Sequence, residues 1–154
     1  MSRDWVKDIR AMHAHYGFHG RVKDFDASKL EAMLRFRKAF LDEELREMGA
    51  AMSLQDPDGV VDSLIDLCVV AIGTLDLFGV DGQRAWDRVH RANMSKEPGV
   101  KASRPNPLGL PDLIKPVGWE GPQHKDNLGT LPKALFVGEE DGPVDQVVGF
   151  CDHS

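Results

Sequence analysis

Several things are scarce in this chain of 154 residues. Its two cysteines, Cys68 and Cys151, lie far apart and outside any CxxC spacing, so neither a disulfide framework nor a cysteine-rich zinc site is indicated. No apolar run reaches the length of about 18 residues that a bilayer span requires. The opening MSRDWVKDIR has no apolar targeting core, so a cytoplasmic chain without membrane contact is expected. Proline is almost missing from the first part: only Pro57 precedes Pro98, and eight of the nine prolines stand at or after Pro98. Residues 1–97 are therefore free to be helical almost throughout, and 98–154 are not. A basic excess is also lacking, with 19 Lys+Arg against 25 Asp+Glu and a net charge of −6. That balance argues against a nucleic-acid partner, because phosphate backbones need clustered cations.

What remains is the composition of one ordinary globular domain, 42% hydrophobic and 29% charged. Four helices are expected. The first spans about Arg3 to Tyr16, with Ser2 as cap and Trp5, Ile9, Met12 and Tyr16 on one stripe. Gly17 and Gly20 bracket a loop holding Phe18 and His19. The second helix opens with the capping box Ser28-Lys-Leu-Glu31 and stops near Gly49. The third runs from Gly59 to Phe78, capped by Asp58 and ended by Gly79; Leu64 to Leu77 is apolar almost all round, the mark of a buried central helix. The fourth runs from Gly82 to Met94 with Asp81 as cap. The expected fold is all-α: an antiparallel four-helix bundle core (1–97) followed by an irregular Pro/Gly-rich arm (98–154). The arm carries Leu113-Ile114, Trp119, Phe136 and Val147-Val-Gly-Phe150, and is expected to pack on the core or on a neighbouring subunit.

The charge is not spread evenly. Residues 40–66 hold eight acids (Asp42, Glu43, Glu44, Glu47, Asp56, Asp58, Asp62 and Asp66) against the single base Arg46, a segment of −7 on a remainder of +1. Glu44 and Glu47 are i,i+3 and project from one helix face; Asp62 and Asp66 are i,i+4 on the most apolar helix. A short loop makes the two helices antiparallel neighbours, so the pairs can face each other. Four carboxylates in one partly buried site repel unless cations neutralise them, and an all-oxygen site suits Mg²⁺ or Mn²⁺. A Glu pair at this spacing also suits a solvated face, Asp58 a helix cap and Asp56 a turn. Asp66 is different: between Leu64, Ile65, Leu67 and Val69 it is an expensive charge without a partner. No Glu is followed three residues later by His, and there is no P-loop and no HExxH, so a di-iron bundle, a P-loop enzyme and a zinc protease are disfavoured.

Glu44-Leu-Arg-Glu47, a loop, and an acidic pair on an apolar helix resemble the Glu-x-x-Glu…Glu/Asp-x-x-Asp signature of the all-α nucleoside triphosphate pyrophosphatases. That superfamily includes MazG, the dimeric dUTPases and phosphoribosyl-ATP pyrophosphohydrolase. The likeness extends through Val61-Asp-Ser-Leu-Ile-Asp66 and Gly73-Thr74 to Val89-His-Arg-Ala-Asn-Met-Ser-Lys96, a stretch similar to the phage-type MazG-like branch. One departure stands out: the acid usually found three residues before Asp66 is Ser63 here, and Asp62 stands one position earlier.

The resemblance implies hydrolysis of a (deoxy)nucleoside triphosphate between the α- and β-phosphates, in nucleotide pool control, with a lean towards dGTP/GTP. It implies Mg²⁺ or Mn²⁺ on Glu44, Glu47, Asp62 and Asp66, catalysis by Glu44, Glu47 and Asp66, and phosphate contacts from Asn93 and Lys96. Trp5, His15, Tyr16 and Phe18 become nucleobase-pocket candidates, although the helical spacing of Trp5 and Tyr16, like that of Trp86, more often marks a core. His90 shares the face of Asn93, and Arg35 and Arg37 stand beside the acidic face. A homo-oligomer, dimer or tetramer, is also implied. The rival reading is a non-catalytic acidic helical module for oligomerisation or cation binding, against which Asn93 and Lys96 speak.

Overall fold

A computed structural model of the chain describes residues 4–103 and 107–136. In chain order the elements are α1 (Trp5–His15), α2 (Phe18–Val22), α3 (Ala27–Ser53), α4 (Pro57–Leu77), α5 (Gly82–Met94), β1 (Glu97–Gly99), β2 (Asp112–Ile114) and α6 (Leu131–Leu135). Among the described residues the protein is all-α apart from one two-stranded antiparallel sheet, in which Glu97 pairs with Ile114 and Gly99 with Asp112. Among the described residues no single helix is long and apolar enough to cross a membrane.

Aspartates start the four longer helices. Asp4 accepts from Lys7 N, Asp26 from Lys29 N, Asp56 from Asp58 N and Gly59 N, and Asp81 from Arg84 N, each satisfying a donor that the first turn leaves open. Only Asp81, with the bounds of α5, matches the sequence expectation. Ser2 lies outside the described residues. Asp26 replaces Ser28 as cap, so α3 starts one residue before the capping box. Asp56 replaces Asp58 because Pro57, which has no N–H to lose, occupies the first helical position. α3 also runs through Gly49 to Ser53. A helical glycine costs about 1 kcal/mol relative to alanine, but Ala51, two residues on, is buried against α4. The expected loop at Phe18 and His19 is instead the short helix α2, entered through Gly17 at φ +71.

α3 and α4 form an antiparallel pair whose register can be followed along its length. At one end a Cβ on Gly59 would lie 3.1 Å from that of Ala51. Further along, Arg37 of α3 donates to Thr74 Oγ1 (3.0 Å) and the Val70 carbonyl (2.8 Å) of α4. At the far end Leu30 meets Phe78 in the buried core. α1 packs on α4. The chain turns by 119° between α4 and α5, so α5 crosses α4 steeply instead of running antiparallel along it.

The arm docks back on the helices. Leu131 and Ala134 of α6 join Leu30, Phe78, Phe25 and Val80. Asn127 clamps the α4–α5 turn, accepting from Asp81 N (2.8 Å) and donating to the Asp81 carbonyl (2.9 Å). Thr130 N donates to the Phe78 carbonyl (2.8 Å). Gly129, at φ +54, passes so close that a Cβ would fall 1.8 Å from Phe78 O. Trp119 Nε1 donates to Ala92 O and Ser95 Oγ, and Arg88 makes a two-pronged pair with Asp126. Val137, Val147–Phe150 and Cys151 lie outside the described residues.

The buried residues of α4 are only Ser63, Val70 and Gly73. Val61, Leu64 and Ile65 are exposed in the single chain, which corrects the expectation of a helix buried all round. Trp5, Tyr16 and Trp86, possible core positions by spacing, are exposed as well.

Two predictions follow from the docked arm. Gly129→Ala places a methyl against a backbone oxygen in a left-handed conformation, so it should cost more than about 1 kcal/mol. Calorimetry should show a melting temperature lower by several degrees; an unchanged one would mean the arm does not dock this way. The hydrogen bond and charge of Arg88 hold the Asp126 carboxyl down at about 2, against an ordinary 3.8. Its folded pKa is depressed, so its small contribution is present above pH 3.8 and is lost as pH falls towards 2. Amide exchange in residues 119–127 should therefore accelerate across that window in wild type, and an Asp126→Asn variant should lack that component.

Candidate functional site

Glu44 sits on the α4-facing side of α3, where the residue is 6% exposed. Its Oε2 is buried and has no hydrogen-bond partner. Burial pushes its pKa up, and the charges of Glu47, Asp66, Glu43 and Asp62 push in the same direction. The four carboxylates singled out by spacing are thus brought into one electrostatic cluster. Glu47 and Asp62 are exposed and Asp66 is half-buried. Ser63, at the position where the resembled signature has an acid, is 5% exposed. The carboxylate one residue earlier, on Asp62, therefore stands on the wetter side of α4.

Glu44 and Asp66 line a cavity of about 260 Å³ together with Arg37, His13, Phe18 and Phe40. Its character is mixed: carboxylates from the α3–α4 seam, aromatic rings, and a cationic side chain. Arg37 is held by Thr74 Oγ1 and Val70 O, and burial lowers its pKa. Thr74 Oγ1 itself donates to Val70 O. Room for Arg37 comes from Gly73, where a Cβ would lie 2.9 Å from Arg37 Nη2 and 3.0 Å from His13 Cε1. Arg35, its neighbour in sequence, points elsewhere and pairs with Glu31 on the surface at 2.6 Å.

A second cluster was not legible as a site. His13 Nδ1 and His19 Nε2 both meet Asp76 Oδ2, each at 2.7 Å. His13 is 3% exposed. Burial would raise the Asp76 pKa, but hydrogen bonds from His19 and His13 outweigh it and the carboxyl sits below its ordinary value. The signal was available: Asp76, like Asp66, is an acid in the apolar stretch of α4 and required a partner.

The remaining candidates lie elsewhere. Of the four nucleobase candidates Phe18 alone lines the cavity with Glu44 and Asp66; it also meets His13 edge-on at 5.1 Å. Trp5 lines a separate apolar hollow of about 190 Å³ with Ile9, Ile65 and Cys68. His15 and Tyr16 are exposed and stack edge-on at 4.8 Å. Asn93 and Lys96 are joined to each other, Lys96 Nζ donating to Asn93 Oδ1 (2.8 Å), and Lys96 stands 5.1 Å over the Trp119 ring. Neither lines the cavity of Glu44. His90 is exposed.

Residues 18–93 match the family model of phosphoribosyl-ATP pyrophosphohydrolase, and no curated protein matches the chain significantly. The matched stretch runs from the start of α2 almost to the end of α5. It includes Arg37, all four clustered carboxylates and Asp76, and leaves out α1 and the arm. Over that stretch, just under half of the chain, the sequence is similar to the phosphoribosyl-ATP pyrophosphohydrolase family.

Proposed function

We propose that this protein is a divalent-metal-dependent pyrophosphohydrolase that converts a (deoxy)nucleoside triphosphate to the monophosphate and pyrophosphate, with purine substrates such as dGTP or GTP preferred. The observation that carries the reading is the orphaned Glu44 Oε2, which feels the charges of Glu47, Asp62 and Asp66 and, with Asp66, lines a cavity that Arg37 also lines. A buried anion crowded by like charges is a costly arrangement, and a cation relieves it directly. The donors are all oxygens, which fits Mg²⁺ or Mn²⁺ held by Glu44, Glu47, Asp62 and Asp66. Such an ion supplies neutralisation of phosphate oxygens and a more acidic bound water.

The chain's own groups divide the remaining work. Glu44, whose proton affinity is raised by burial, is suited to receive a proton from the attacking water, while Glu47 and Asp66 hold charge around it. Arg37, fixed by two acceptors on α4, presents a positioned cation to an anionic substrate. Phe18 and Phe40 give the cavity flat apolar walls suited to a base. Asn93 and Lys96 point to phosphate binding from a second copy, since neither lines the cavity in its own chain. The exposed Val61, Leu64 and Ile65 of α4 then form part of a homo-oligomer interface.

The decisive test is incubation with (d)NTPs, including dGTP and GTP, and with phosphoribosyl-ATP, in Mg²⁺ or Mn²⁺, with products separated by chromatography. Monophosphate with pyrophosphate is expected; diphosphate with free phosphate would sink α–β cleavage. Turnover of none of them would favour the non-catalytic acidic module. Turnover of phosphoribosyl-ATP alone would replace the triphosphate assignment. Glu47→Gln and Asp66→Asn should each lower kcat by more than about 100-fold with an unchanged circular dichroism spectrum. A near-wild-type rate in either removes that residue from the site. Sedimentation should give a dimer or tetramer of the 17.1 kDa chain; a monomer at micromolar concentration contradicts the interface.

A further inference from the structure

The cluster of His13, His19 and Asp76 joins three helices, α1, α2 and α4, and plays no part in the reading above. Its three ligand-type atoms lie within 4.8 Å of one another. We propose that it is a second metal site, one that takes a single zinc-class divalent ion on His13 Nδ1, His19 Nε2 and the Asp76 carboxylate.

The donor chemistry differs from that of the carboxylate cluster. Two imidazole nitrogens and one carboxylate oxygen suit a borderline-soft ion of the zinc type, whereas hard Mg²⁺ prefers oxygen alone. The burial is graded in a useful way: the side chains of His13 and Asp76 are 4% and 11% exposed, and that of His19 is 39% exposed. The ligands therefore form a cup open on the His19 side, where solvent can supply a fourth ligand. Both imidazoles crowd onto the same oxygen, Asp76 Oδ2, at 2.7 Å. Around a tetrahedral ion with bonds of about 2.0–2.1 Å, ligand atoms stand about 3.3 Å apart, so each ring nitrogen must draw back about 0.6 Å from Asp76 Oδ2 while the two nitrogens settle at that same spacing, inside the 4.8 Å that now bounds the group. His13 is anchored independently, lying against Gly73 where a Cβ would come within 3.2 Å of its Nε2. Two cations stand near the cluster: Arg10, 4.0 Å from Asp76 Oδ1 with a side chain 76% exposed and well screened by solvent, and Arg37, which meets His13 over Gly73 but is held by Thr74 Oγ1 and Val70 O.

An ion here has a structural consequence for the cavity. His13 and Phe18 both line it, so tying His13 and His19 to Asp76 fixes the α1–α2 wall against α4. The site thus acts through the cavity wall and does not itself touch the reacting carboxylates.

The test uses the full chain stripped with chelator and titrated with Co²⁺ in excess Mg²⁺, which occupies the all-oxygen cluster. A tetrahedral site with two imidazoles gives intense visible absorption, and an all-oxygen site gives weak absorption. One equivalent of intensely absorbing Co²⁺ is expected, displaced by Zn²⁺. His19→Ala, at the exposed position and thus safe for folding, should weaken that binding at least about tenfold, as should Asp76→Asn. Glu47→Gln should leave it intact. No intense band in wild type, or a band unaffected by His19→Ala, overturns the proposal and leaves the three residues as a hydrogen-bonded clamp. Loss of the band in Glu47→Gln overturns it too, since the ion would then belong to the carboxylates. Binding is read directly, so a failure here is distinct from a failure of the hydrolase reading.

Discussion

The close approach of α3 and α4 is the constraint from which the rest of the site follows. It is possible because α4 turns small residues to its neighbour. At Gly59 and Gly73 a side chain would collide with Ala51 and with Arg37 and His13, and Ser63 is buried between them. Glycine inside a helix costs stability, and the seam recovers it by letting groups of different character meet at fixed heights: an alanine contact, then carboxylates, then a guanidinium on backbone and hydroxyl acceptors, then the apolar core at Leu30 and Phe78. The cavity exists because this ordering sets Glu44 and Arg37 on its wall without letting them pair.

Ser63 gives the same geometry a second meaning. The resembled signature places an acid at that point, and in this chain the position is 5% exposed. A further carboxylate there would add to the repulsion already felt by Glu44. With the acid moved to Asp62, four negative charges are kept within reach while one is left in water, where solvent screens it. The departure in sequence therefore lowers the cost of the cluster without dismantling it.

How much of this was legible in the sequence depends on how local each feature is. α5 was readable to the residue because its cap, Asp81, is followed by no rival. α3 and α4 each offered two capping residues within three positions, and propensity alone does not rank Asp26 against Ser28 or Asp56 against Asp58. The Asp56-Pro57 pair did carry a signal, since proline is at home only just inside a helix start. Asp66 was flagged because an unpaired acid among apolar residues is expensive; the same argument applied to Asp76, whose partners lie 57 and 63 residues away. Periodicity marks a face as apolar but does not say whose atoms cover it, so the α4 surface read as core is exposed in one chain. α2, five residues long, is shorter than any periodic window.

The distribution of charge links these points to the proposed chemistry. The segment of −7 is the hairpin from α3 into α4, and a triphosphate adds further negative charge to it. Arg37 is the only Lys or Arg on the cavity wall among the described residues, and one guanidinium does not balance such a sum. In the hydrolase reading that deficit is met by ions on the carboxylates and by cations from outside the chain's own cavity. α5 carries Arg84, Arg88 and Arg91, with Lys96 just beyond its end, and none of them lines that cavity. In the hydrolase reading a second copy, docked on the exposed apolar face of α4, is what brings such a helix to a cavity that has too few cations of its own. The apolar surplus on α4 and the cationic deficit in the cavity are then two sides of one incompleteness.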